Sequence, residues 1–217
     1  MKPPKYPEAS FLSEVTASAT HELRNVLAII KESNGLMGDM IQLCAGGGNL
    51  DGARMKRAGD RVDTQVKRGA DILSGLNRLS HCLDVDSGIL DLQEEVELVA
   101  FMIGRKARNR RQTLGVESGV SGAQIQAPPL QLQMALYSAV KVCIDAFPEG
   151  SSLSLGVRRE AAALSVECVG ERGPSPNGPI LTQGEPWSRT EKSFAAVGGQ
   201  PEAVDGGWGI RVSFDSA

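Results

Sequence analysis

The chain has 217 residues and a net charge of −3, with ordinary apolar and charged fractions, which fits one large domain or two small ones and gives no basis for binding nucleic acid or an anionic membrane. No run approaches the roughly 18 apolar residues of a membrane span, and Met1-Lys2-Pro3-Pro4-Lys5 has no apolar run behind it of the kind a secretory signal carries. Four scattered cysteines (Cys44, Cys82, Cys143, Cys168) and two histidines form no zinc-ligand spacing, so the expectation is a cytoplasmic protein with reduced thiols.

Spacings of three and four alternate from Leu12 through Val15, Ala19, Glu22, Val26, Ile29, Ser33, Leu36, Met40 and Leu43. This is the a/d seam of a long helix. Leu23, Ile30 and Met37 add a second stripe at the e position. A helix with two adjacent apolar stripes needs more than one neighbour. Ala45-Gly46-Gly47-Gly48-Asn49 then breaks the helix, and Asp51 can cap the next. The second seam reads Val62, Val66, Gly69, Leu73, Leu76, Ser80 and Leu83, with Ile72 and Leu79 beside it. Two helices alone cannot bury both stripes. The hairpin is therefore expected to pair with its twin as a dimeric four-helix bundle.

After Asp84-Val85-Asp86-Ser87-Gly88 the texture changes, dividing the chain into residues 1–86 and 87–217. A helix is expected over 96–111 and a strand over 113–117. Pro128-Pro129 opens a helix over 130–147, which Pro148-Glu149-Gly150 closes. Strands over 152–158 and 162–169 form a hairpin. A Gly- and Pro-rich stretch over 170–186 is loop, 187–197 holds a short helix, and 209–214 alternates as a last strand. This half reads as α+β, helices on one face of a sheet.

The chemistry is concentrated in Thr20-His21-Glu22-Leu23-Arg24-Asn25. His21 falls at heptad position c, which turns it to solvent, and an accessible imidazole is a nucleophile near neutral pH. Glu22 is adjacent and can orient or deprotonate the ring. Asn25 lies one turn on, on the same face. Ala17, Ser18, Arg24, Ala28 and Lys31 surround His21 in helical projection and are the expected docking surface, the small residues among them allowing close approach.

His21-Glu22-Leu23-Arg24-Asn25 resembles the H-box of sensor histidine kinases, and the resemblance extends to Phe11-Leu12 at the start of the helix, to Leu27, and to the hairpin length. It implies that His21 accepts a phosphoryl group on Nε2, that Glu22 polarises the ring, and that Asn25 orients a water for dephosphorylating a partner. Val26 departs from the family's usual proline, and without proline the helix keeps its hydrogen bonds and stays straight.

The segment from Leu132 to Gly150 resembles the N-box helix of the kinase ATP-binding domain, ending in the same Pro148-Glu149-Gly150, but Ser138 and Val142 replace its two asparagines. Valine cannot ligate a hard cation. The adenine-reading Asp-x-Gly-x-Gly loop would fall at Val169-Gly170-Glu171-Arg172-Gly173, and no aspartate occurs between Asp145 and Asp205. The remaining glycine box, Gly206-Gly207-Trp208-Gly209, precedes a strand where the family has a helix. Together these changes remove the metal, base and phosphate contacts of nucleotide-driven phosphoryl transfer.

The whole chain thus resembles the dimeric histidine phosphotransferases of bacterial phosphorelays, which keep the kinase bundle beside a degenerate ATPase-like α/β sandwich. The resemblance implies a phosphorelay intermediate that exchanges phosphate with response-regulator receiver domains through His21, uses no cofactor of its own, and relies on Mg²⁺ held by the receiver. Two other readings stand beside it: a divergent histidine kinase that still binds ATP, and a non-catalytic dimeric scaffold for response regulators.

Overall fold

The computed structural model describes residues 6–160, 163–171, 181–204 and 208–215. Arg172, Gly173, Gly206 and Gly207, named above, lie outside them. The chain divides into two compact units, Leu12–Arg78 and the remainder, which includes the chain up to Phe11.

The first unit is made by helices α1 (Pro7–Ala45) and α2 (Gly52–His81). α1 opens on Pro7, whose missing N–H costs nothing in a first turn, and runs unbroken through Val26. Its end is set by glycine. Gly47 has φ 91°, and the N–H groups of Gly48 and Gly47 donate to Leu43 and Cys44 carbonyls at 3.1 and 3.0 Å. This is a Schellman closure, which needs a residue free to adopt the left-handed region. Asp51 caps α2, its Oδ1 accepting from the Arg54 N–H at 2.9 Å.

The helices are antiparallel. Arg68 reaches Glu22 at 3.0 Å, Arg61 reaches Glu32 at 3.4 Å, and a Cβ placed on Gly69 would lie 3.4 Å from Val26 Cγ1. On α1 the a/d row is the inner one: Val15, Val26, Ser33 and Met40 are buried. On α2 the inner row keeps the half-buried Val62, Gly69 and Leu76 of the expected seam but takes Ile72 and Leu79, expected beside it, in place of Val66 and Leu73. Ile72 is 1 % exposed, whereas Val66 and Leu73 are 55 and 58 % exposed. Ala58 and Gly69, small residues on the Ile72 row, let α1 approach there, and two apolar rows one position apart are not distinguished by periodicity.

In the second unit α3 (Leu92–Asn109) starts four residues earlier than expected, because Asp91 accepts N–H bonds from Gln93 and Glu94 at 2.9 and 3.3 Å. α4 (Pro129–Ala146) and α5 (Gly184–Ala195) match the expected helices to within a few residues. Strands β1 (Gly88–Asp91) and β3 (Gln124–Ala127) form a small antiparallel ribbon. A five-stranded sheet has the order β2-β4-β5-β7-β6, where β2 is Thr113–Val116, β4 Ser152–Glu160, β5 Ala163–Gly170, β6 Gly199–Val204 and β7 Gly209–Asp215. β2 and β4 are parallel, and the other pairs are antiparallel.

Register puts Leu155 beside Cys168 and Ile210, and Val157 beside Val166 and Val212, all buried on one face. Ile144, Phe147, Leu132 and Ile103 from the helices complete that core. The other face carries a row of alternating charge. Arg158 meets Glu117 and, at 3.8 Å, Glu167. Arg211 meets Glu167 at 2.6 Å and Glu202 at 3.7 Å. β1, β3 and β6 were not foreseen. Both β1 and β3 are only four residues long, too short for the alternation of β3 to stand out, and β6 contains Pro201, which an edge strand tolerates.

Candidate functional site

His21 is exposed on α1. A helix turns about 100° per residue, so the inner row marked by Glu22, Val26 and Ile29 lies to one side of the imidazole. The half-exposed stripe of Leu23, Ile30 and Met37, extended by Leu27 at 63 % exposure, lies nearly opposite. The histidine therefore occupies a face that neither α2 nor a partner on the apolar stripe would cover.

The structure brings Asn25 to His21: the side-chain amide Nδ2 lies 3.4 Å from the imidazole Nδ1. That contact follows from the spacing of four, which stacks the two side chains one turn apart. Glu22 is directed elsewhere. Its side chain, 13 % exposed, lies on the inner row and pairs with Arg68 of α2 at 3.0 Å. Ala17, Arg24, Ala28 and Lys31 are exposed and Ser18 is half-buried, and all lie on or beside the His21 face. Arg68 went unremarked in the sequence, where nothing marks which α2 arginine stands opposite Glu22; only the hairpin register decides it. His81, the other imidazole, is exposed at the end of α2, with Nδ1 3.7 Å from Asp84.

In the second unit the two positions that depart from the N-box pattern lie on α4. Ser138 is half-buried, and its hydroxyl is 3.0 Å from Thr190 Oγ1 on α5. Thr190 is fully buried and also donates to the Pro186 carbonyl at 3.0 Å. Trp187 and Phe194 bury the rest of that face of α5. Val142 is half-buried. Gly170, which falls within the adenine-loop counterpart, has a packing reason: a Cβ there would lie 2.0 Å from the Phe147 ring. Glu171 continues by donating its N–H to Ser152 at 2.9 Å. Among the described residues no group of three His, Cys, Asp or Glu side chains is placed to hold a metal ion, and no helix is long and apolar enough to cross a membrane.

A buried polar set joins the end of α2 to this unit's helices. Gln133 Nε2 donates to Glu95 Oε2 at 2.9 Å and to Cys82 Sγ at 2.8 Å. Phe11 packs edge-on against Tyr137, with ring centroids 5.3 Å apart. These contacts are why Phe11, and the residues from Leu79 onward, group with the second unit, although the composition changes at 86/87.

No protein-family model matches the chain, and no curated protein sequence matches it. Solved structures do. The catalytic domain of the histidine kinase ThkA is 17 % identical over 61 % of this chain and 98 % of that one, with a TM-score of 0.50. A bacterial phosphotransferase is 12 % identical over 98 % of each chain, also with a TM-score of 0.50. At these identities the likeness is one of fold. The architecture is α+β, an N-terminal helical hairpin followed by the ATPase-like sandwich of histidine kinase catalytic domains.

Proposed function

We propose that this chain is a histidine phosphotransferase that relays a phosphoryl group between receiver-domain aspartates through His21, without using ATP. The observation that carries the reading is the pairing of an exposed His21, with Asn25 at its Nδ1, and a second unit whose Ser138, standing where the resembled helix has asparagine, is bonded to Thr190 of α5. In the reaction Nε2 attacks the phosphorus of an aspartyl phosphate. The N–P bond forms, the P–O bond to the carboxyl breaks, and the carboxylate leaves with the electron pair. The receiver supplies Mg²⁺ and its own carboxylates; this chain supplies a positioned nucleophile and a surface on which the two reactants meet.

Docking falls to the face formed by Ala17, Ser18, Arg24, Ala28 and Lys31. Homodimerisation falls to the opposite apolar surface of the hairpin, where Leu27, Val66 and Leu73 stand exposed. The likeness in fold to a bacterial phosphotransferase over nearly the whole chain supports the reading.

The test is to incubate the full chain with ³²P-labelled phospho-receiver and Mg²⁺ and, separately, with labelled ATP and Mg²⁺. Transfer is expected from the receiver alone, to be absent from His21→Ala, and to persist in His81→Ala. Labelling from ATP would replace this reading with that of a divergent kinase. Receiver binding that survives in His21→Ala, with no transfer in the unsubstituted chain, would replace it with that of a scaffold.

A further inference from the structure

An amide nitrogen only donates, so the 3.4 Å contact from Asn25 Nδ2 makes His21 Nδ1 an acceptor, a nitrogen with a lone pair. In the neutral imidazole that arrangement leaves the proton on Nε2. In the phosphorylated ring the same contact needs no rearrangement. The phosphoryl group then occupies Nε2, and Nδ1 has a lone pair and no proton. The amide therefore matches the product of the transfer. We propose that Asn25 is a positioning residue that prolongs the life of phosphorylated His21, by donating to Nδ1 and opposing its protonation. The proposal rests on the phosphotransfer reading above and gives Asn25 a task other than the water-orienting one the resemblance implies.

The chemistry of phosphoimidazole shows what the contact guards. When Nδ1 takes a proton from solvent, the ring becomes a cation and a good leaving group. Water attacks phosphorus, the N–P bond breaks with its electron pair passing to Nε2, and neutral Nδ1–H imidazole and dihydrogen phosphate separate. A hydrogen bond to the unprotonated nitrogen disfavours the charged ring. A carboxylate at the same place would do the reverse, and the neighbouring carboxylate, Glu22, is held instead by Arg68 at 3.0 Å. The carboxylate of a docked receiver needs the same protonation of the ring, but it attacks from a fixed position, an advantage that water lacks. The contact thus delays loss to water while transfer keeps its lead.

The amide does not serve the loading step. Attack by Nε2 uses the Nδ1–H tautomer, which an exposed ring reaches by exchanging protons with water. The charged groups around the ring are Glu22 and Arg24 on α1 and, on α2, Arg68 and Asp71 close to one turn further on. They are the same in every Asn25 variant, so a difference between variants belongs to the residue at 25.

The experiment loads the full chain with potassium phosphoramidate, which needs no receiver, in a His81→Ala background where His21 is the remaining imidazole. Decay of the phosphohistidine is followed by ³¹P NMR from acid to alkaline pH. Asn25→Ala should decay about threefold faster near neutral pH, the weight of one solvent-exposed hydrogen bond. Its acid limb should move to higher pH, with no difference at alkaline pH. Asn25→Asp, which keeps the shape but turns the donor into an acceptor, should decay faster still. Equal decay with Asn25 and with Asn25→Ala would overturn the proposal. Decay of Asn25→Asp matching that of Asn25 would also overturn it, since the side chain would then act by shape. Slower loading of Asn25→Ala would assign Asn25 to the attack and overturn it as well, as would a His21 that takes no phosphoryl group. The loaded chain is finally mixed with an unphosphorylated receiver. Phosphate that stays on His21, with decay still dependent on Asn25, would uphold the Asn25 assignment and overturn the phosphotransfer reading.

Discussion

The carboxylate of Glu117 lies against the Arg158 guanidinium at one end of the charge row on the open face of the sheet. The Arg158 hydrogen bond holds its carboxyl below the usual carboxylate range. A group with a depressed folded-state pKa adds stability above its unfolded-state pKa, and loses it as pH falls through the lower folded value. The loss therefore belongs to the acid side, at and below the ordinary titration range of a glutamate. Both side chains are about two-fifths exposed, so screening keeps the effect below about 1 kcal/mol. Glu117→Gln is expected to flatten the acid limb of a urea-unfolding series between neutral and acid pH, and to leave the neutral midpoint nearly unchanged. An unaltered pH slope would show that the pair contributes nothing measurable. His21, by contrast, is exposed on α1, so His21→Ala is expected to leave folding stability nearly unchanged.

Two elements carry constraints that single residues reveal. The end of β5 passes so close to the Phe147 ring that only glycine fits at position 170. Gly170→Ala must displace a ring that is itself buried. A cost of about 1–3 kcal/mol is expected, as for other overpacked cores, readable as a lowered midpoint in denaturant with the hairpin intact. On α2, adjacent positions have opposite roles. Ile72 is buried and Leu73 is exposed, so Ile72→Ala should cost about 2–5 kcal/mol through a cavity, while Leu73→Ala should cost the isolated protomer under about 0.5 kcal/mol. Equal effects in chemical denaturation would contradict this assignment of the rows. The charges on the two helices are complementary across the hairpin as well, since Glu22 and Glu32 of α1 meet Arg68 and Arg61 of α2.

At the scale of the whole molecule, the exposed apolar surface of the hairpin is the feature that asks for a partner. Val66, Leu73, Leu27 and Ile41 are all more than half exposed, and a second copy of the hairpin would supply the apolar cover that their exposure lacks. Leu73→Asp is expected to convert a dimer to a monomer in light scattering at micromolar concentration, with the second unit still folded by near-ultraviolet circular dichroism through Trp187 and Trp208. A monomeric unsubstituted chain would remove the four-helix bundle from the account. Because His21 lies nearly opposite this surface, a dimer would leave two imidazoles facing outward, each open to a receiver.

The sequence by itself determined the two long helices, the turn between them, the α+β character of the second half and the helical face on which His21 stands. These follow from short-range rules: apolar periodicity, the Asp51 cap, the Gly47 closure and the Pro128-Pro129 start. It also placed Asn25 one turn from His21, since a spacing of four fixes that neighbour on any helix. Tertiary structure alone decided which of two adjacent apolar rows on α2 would face α1, because both rows are equally periodic and only packing against α1, where Gly69 meets Val26, separates them. It decided that Glu22 belongs to Arg68, a contact across 46 residues of sequence. It also decided that Ser138 is bonded to Thr190 and that Gly170 faces Phe147. In each case the partner is distant along the chain, and no local pattern of charge or hydropathy encodes which distant residue will stand opposite.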